Sequence, residues 1–189
     1  LWAAVLIGFI FYLVLSNAYL IFSLIDTEDH IKNISIEYLK IISIGAIPMT
    51  IYQALRGYSE GITQTRIVFF ISSAIFALNI PFNYLFIFYF DFGGVGCGYA
   101  TTILVIIGLL FFWLVTVFSQ RYKEANIYGR FIWPTFSSFI ELFKIGGPIS
   151  LGVFVELSMF SGAALIIAFF GATALAAHTI AINLVGLFF

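Results

Sequence analysis

Long stretches without a charged side chain restrict this chain more than anything else in it. Residues 1–24, 67–90 and 95–119 contain no Asp, Glu, Lys or Arg, and residues 145–170 contain one, Glu156. A hydrocarbon core about 30 Å thick needs about 20 apolar residues in a helix, whereas a spanning strand needs about 9–11 with alternating polarity. The runs have helical length and lack the alternation. Residues 41–55 form a shorter run, whose flanking Lys40 and Arg56 can extend their stems outward from its ends. Residues 172–189 begin a sixth. The expected fold is an all-α polytopic membrane protein with six transmembrane helices, and the bilayer itself is its first partner.

Composition leads to the same place. Hydrophobic residues make up 62% of the chain and charged residues 9%, against roughly 25% charge in a soluble domain. No polar shell could cover such a surface in water. The net charge of −1 gives no reason to expect a nucleic-acid partner. Cys97 stands alone, which excludes an internal disulfide and a cysteine metal cluster. The chain lacks an initiator Met and its last residues, 184–189, lie inside an apolar run. It therefore reads as part of a longer protein.

Basic residues set the expected orientation, because Lys and Arg concentrate in cytoplasmic connections. Arg56 and Arg66 flank one turn, and Arg121, Lys123, Arg130 and Lys144 lie in the connection 120–144. Those six fall on one side of the membrane. Only Lys32 and Lys40 fall on the other, beside Asp26, Glu28, Asp29 and Glu37. Residues 121–138, polar and carrying Gly129 and Pro134, form the one real linker. This cytoplasmic segment divides residues 1–120, with four spans, from 139–189, with two. Transporters often place their site between two bundles joined in this way.

Within the spans, few residues carry chemistry. Asn79 and Asn83 are four apart and share a helix face, with Pro81 between them. Pro81 removes its own N–H and frees the Ala77 carbonyl. Amide and carbonyl oxygens are hard ligands suited to Na⁺; equally, the two amides could bond neighbouring helices. Thr101 could turn its hydroxyl toward that face or bond back to its own helix. The preceding Gly93-Gly94-Val95-Gly96-Cys97-Gly98 has the glycines of a dinucleotide loop but no strand before it and no acid after it. It reads as a tight outer turn followed by close helix packing. His178, at the start of the last span, reads as a packing or interfacial residue rather than a proton relay.

Glu156 is the sharpest signal. It is the only carboxylate or ammonium in the 45 residues 145–189. An ionisable group deep in an apolar helix costs several kcal/mol and usually marks an ion or substrate path. Its neighbours at helical spacing, Ile149, Gly152, Val153, Met159, Phe160 and Ala163, mix small and large side chains. That stripe suits a helix packed on others, where a carboxylate could exchange a proton for a cation. The bland alternative is a hydrogen-bonded structural Glu.

These residues resemble the multidrug and toxic compound extrusion (MATE) family, in its NorM-like branch. The resemblance rests on Arg56-Gly57-Tyr58-Ser59-Glu60-Gly61, on Asn79-Ile80-Pro81-Phe82-Asn83-Tyr84, on Gly93 through Thr101, on Gly147-Pro148-Ile149 running to Glu156, and on Gly171 through His178 to Asn183. It implies a transporter of twelve helices in two six-helix bundles, of which this chain holds the third to eighth. It also implies that Asn79, Asn83 and Thr101 are cation-site positions of the N-terminal bundle, and Glu156 that of the C-terminal bundle. The family's acidic residues on its first and tenth helices are missing, which leaves both sites incomplete.

The expectation is a secondary antiporter, not an enzyme, that resides in the cell membrane, in bacteria the inner one. It would export organic, often cationic and lipophilic, drug-like compounds in exchange for Na⁺ or H⁺, as a monomer and with no cofactor beyond the coupling ion. A lipid-linked glycan flippase would be expected to carry buried Arg or Lys, which these spans lack. An intramembrane enzyme would need paired acids or a His/Glu metal set, and Glu156 with His178 makes a poor one.

Overall fold

The computed structural model describes residues 1–22, 29–120, 122 and 135–186, and among them it contains helices and turns but no strand. Arg121, Lys123, Gly129, Arg130 and Pro134 of the expected linker lie outside the described residues, as do Asp26 and Glu28. The chain divides into two compact units, Leu1–Ile132 and Trp133–Phe189.

The first unit contains α1 (Trp2–Ser16), the short α2 (Ala18–Phe22), α3 (Asp29–Gly61), α4 (Thr65–Tyr84) with a π-helical turn at Leu85–Tyr89, and α5 (Gly93–Phe118). The run 1–24, expected as one span, is broken. The Asn17 side-chain amide donates to the Leu13 carbonyl at 2.8 Å and Ser16 Oγ to the same oxygen at 3.2 Å. Side chains of this kind compete with the backbone for helical acceptors. At 15 residues, α1 is about 22 Å long.

The short run 41–55 proves to be the middle of a 33-residue helix. Arg56 to Gly61, expected in a turn, form the last turns of α3, and only residues 62–64 reverse the chain. Arg56 is held there by Glu60, at 2.9 Å one turn on. Pro48 and Pro81 both sit inside helices without ending them.

Helix α3 packs on α1 along one side and on α5 along another, while α4 lies against α5. The buried cluster Tyr52, Leu55, Val68, Ile71 and Phe112 joins α3, α4 and α5. Its rings Tyr52 and Phe112 meet edge to face at 5.2 Å, an arrangement favoured by aromatic quadrupoles. Thr102 crosses from α5 to donate to the Ile41 carbonyl at 3.3 Å. The glycine-rich start of α5 serves close packing, as its composition predicts. A methyl group on Gly96 would stand 2.7 Å from the backbone carbonyl of Phe86.

The second unit contains α6 (Phe136–Ala168) and α7 (Ala172–Val185), joined through Gly171 at φ 104°. Helix α6 begins nine residues before the expected span start at Ile145, taking in Glu141 and Lys144. None of its residues is buried within this unit.

Among the described residues, four helices are long and apolar enough to cross a membrane: Lys32–Gly61, Thr65–Tyr89, Gly93–Phe118 and Phe136–Ala168. Two expected spans, at α1 and α7, are present as shorter apolar helices.

Candidate functional site

Helical spacing delivers the expected face on α4. The Asn83 side-chain amide donates to Asn79 Oδ1 and to the Asn79 carbonyl, both at 2.9 Å, and the pair is half-buried. Placed four apart, the two side chains align each other. Asn83 Oδ1 accepts no hydrogen bond among the described residues and remains a free hard oxygen. Asn79 Oδ1 keeps one lone pair beyond the one that Asn83 occupies.

Thr101 does not join them through a hydrogen bond. Its hydroxyl donates back to the Cys97 carbonyl at 2.8 Å, within α5. It borders an apolar cavity of about 340 Å³ formed with α1 and α3, where Phe11, Ala46, Met49 and Gln53 also stand. No residue of α4 lines that cavity. Back-bonding removes the hydroxyl's proton from competition and leaves its lone pairs free to accept or ligate.

Glu156 lies near the middle of α6, exposed and without a hydrogen bond or ion pair among the described residues. The packed surroundings expected for its stripe are absent from this unit: Ile149, Gly152, Val153, Met159 and Phe160 are exposed and Ala163 is half-buried. His178, on α7, has Nε2 buried without a hydrogen-bond partner among the described residues. No group of three or more His, Cys, Asp or Glu suited to a metal ion occurs among the described residues.

Sequence reasoning missed the tie between Ser59 and Tyr122, which are 0% and 1% exposed and 2.7 Å apart. It also missed the cavity beside Thr101. The only local signal for the tie was a Tyr among polar residues just beyond the apolar run.

A chain whose described residues form no strand, with several apolar helices of membrane-crossing length, a few polar groups within them and a glycine-packed helix crossing, is a multi-pass membrane protein. The MatE family model matches residues 1–85, which include Asn79 and Asn83. The chain is 34% identical to the probable multidrug resistance protein NorM of Idiomarina loihiensis, over 97% of this chain and 41% of that one. It is 36% identical to the protein of the same name from Shewanella oneidensis, over 89% of this chain and 38% of the relative. With the probable multidrug resistance protein NorM of Bacillus cereus it shares 32% identity over 86% of this chain and 37% of the relative. Residues 1–85 belong to the MatE family, and the chain as a whole is similar to these NorM proteins. It spans about two fifths of the length of these curated relatives.

Proposed function

We propose that this chain is the central part of a secondary antiporter that exports organic, often cationic and lipophilic, compounds across the cell membrane in exchange for Na⁺ or H⁺. The observation that carries the reading is the Asn79–Asn83 pair: two aligned amides, half-buried on a membrane-length helix, with a free Asn83 oxygen. The relatives' names, which speak of multidrug resistance, support the export of drug-like compounds.

On this reading residues 1–120 supply the third to sixth helices of an N-terminal bundle, 121–138 a cytoplasmic linker, and 139–189 the first two helices of a C-terminal bundle. Asn79, Asn83 and Thr101 contribute oxygens to a cation site in the first bundle, and Glu156 supplies the charge of a site in the second. The partners of Glu156 would come from helices beyond this chain. A cation site serves transport only when its affinity differs between inward-open and outward-open states. Carrying one elementary charge across 100 mV supplies about 2.3 kcal/mol, roughly fiftyfold in a conformational equilibrium.

The test uses the full-length protein in proteoliposomes loaded with a fluorescent organic cation. Imposed Na⁺ and pH gradients are applied separately. Export that follows one of them supports antiport and names the coupling ion; efflux indifferent to both contradicts it.

A further inference from the structure

The chain turns from α3 into α4 through Thr63, at φ 60°, and becomes helical again at Thr65. Between this turn and the end of α5 lies an open cavity of about 740 Å³, lined by Thr63, Thr65, Arg66, Phe70, Ser119 and Gln120 among others. A second cavity of about 500 Å³ shares Thr65, Arg66 and Phe70 with the first and adds Phe69. Arg66 thus borders both. Its nearest basic counterpart in sequence, Arg56, is paired with Glu60, whereas Arg66 has no ion pair among the described residues.

Residues 66, 69 and 70 stand three and four apart, on one face of α4. The guanidinium lies at the helix end, and the two rings lie one turn deeper into the apolar span. Phe69 and Phe70 are 66% and 69% exposed. Hydroxyl and amide groups surround the charged end, and rings line the other. This polarity is that of a phospholipid: a phosphate at the surface with chains running inward. A guanidinium binds phosphate bidentately, and basic pockets between membrane helices are suited to anionic head groups. The site also stands at the end of α3 and α4 that carries Arg56 and Arg66.

We propose that this two-part groove binds an anionic phospholipid, its phosphate on Arg66 and an acyl chain along Phe69 and Phe70. The test uses the full-length protein, purified in a neutral detergent and titrated with phosphatidylglycerol, with bound lipid counted by native mass spectrometry. Phosphatidylglycerol should bind more tightly than phosphatidylcholine, and Arg66→Gln should weaken it roughly fivefold without changing phosphatidylcholine binding. Arg56→Gln, at a guanidinium already occupied, should change little. Phe70→Ala is the second variant, should Arg66→Gln fail to accumulate, and it should also weaken phosphatidylglycerol. Glycerol 3-phosphate separates a lipid from a soluble phosphate. Failure to displace the lipid supports the proposal, and displacement at equal concentration overturns the lipid assignment. Unchanged phosphatidylglycerol binding in whichever of the two variants accumulates overturns the site.

Discussion

Tyr122 donates its phenolic hydrogen to Ser59 Oγ at 2.7 Å, and Ser59 passes its own hydrogen to the Leu55 carbonyl, also at 2.7 Å. Both side chains are buried. The relay fastens the chain just past α5 to the last turns of α3, 63 residues away. Tyr58 adds a ring contact to Tyr122 at 6.3 Å.

Removing only the phenolic hydroxyl should cost little, because Ser59 keeps its bond to Leu55. Tyr122→Phe should lower stability by about 1 kcal/mol, and Tyr122→Ala, which also empties a buried ring site, by about 3–5 kcal/mol. Thermal unfolding in detergent gives the order. Equal losses in the two variants would mean that the hydroxyl, not the ring, dominates.

A second prediction concerns the crossing at Gly96. An added methyl there meets the Phe86 backbone, which cannot rotate aside, whereas one at Gly57 meets nothing within 4 Å. Gly96→Ala should therefore destabilise by about 1–3 kcal/mol. Gly57→Ala, inside α3, should be neutral or stabilise by about 0.5–1 kcal/mol. Folded yield after solubilisation separates them, and the reverse order contradicts the packing.

The helices were legible because a charge-free run of membrane length has one stable backbone solution. Their ends were not. Charges at Lys32, Glu37 and Lys40 suggested a boundary, yet residues 29–40 are helical. Charge marks where lipid contact stops, while the helix continues as long as nothing breaks its hydrogen bonds. The run that hydropathy left whole is interrupted at Asn17, whose side chain bonds the Leu13 carbonyl, a contact that hydropathy does not register. At the site, spacing alone aligned Asn79 with Asn83, since that relation is local. The direction of Thr101, bonded to Cys97, was open between two local choices. Ser59 and Tyr122 meet through tertiary packing, which no local period encodes.

The Asn79–Asn83 face offers a third prediction. Asn83→Ala deletes the free oxygen and the donor to Asn79, both bonds lying within one helix. In the full-length protein it should weaken cation-coupled export while membrane levels stay unchanged. Quantitative immunoblotting beside vesicle transport decides: lost protein that fully explains lost export would assign the pair to structure instead.

Orientation is tested at the linker. The six-to-two division of Lys and Arg predicts that residues 120–144 face the cytoplasm. A cysteine introduced at Asn126, in a Cys97→Ala background, should resist an impermeant thiol reagent in intact cells and react after permeabilisation. Ready labelling of intact cells reverses the topology.

Glu156 provides the most direct test of cation coupling. Glu156→Gln keeps size and a hydrogen-bonding head but cannot carry the charge. The neutral amide is cheaper than the ion in an apolar span, so folding should not suffer. Full-length wild-type and Glu156→Gln protein, at equal density in proteoliposomes, are compared for export of a fluorescent organic cation under one fixed Na⁺ and pH gradient. The variant should lose gradient-driven export by roughly tenfold or more; export at the wild-type rate would contradict a coupling role for Glu156.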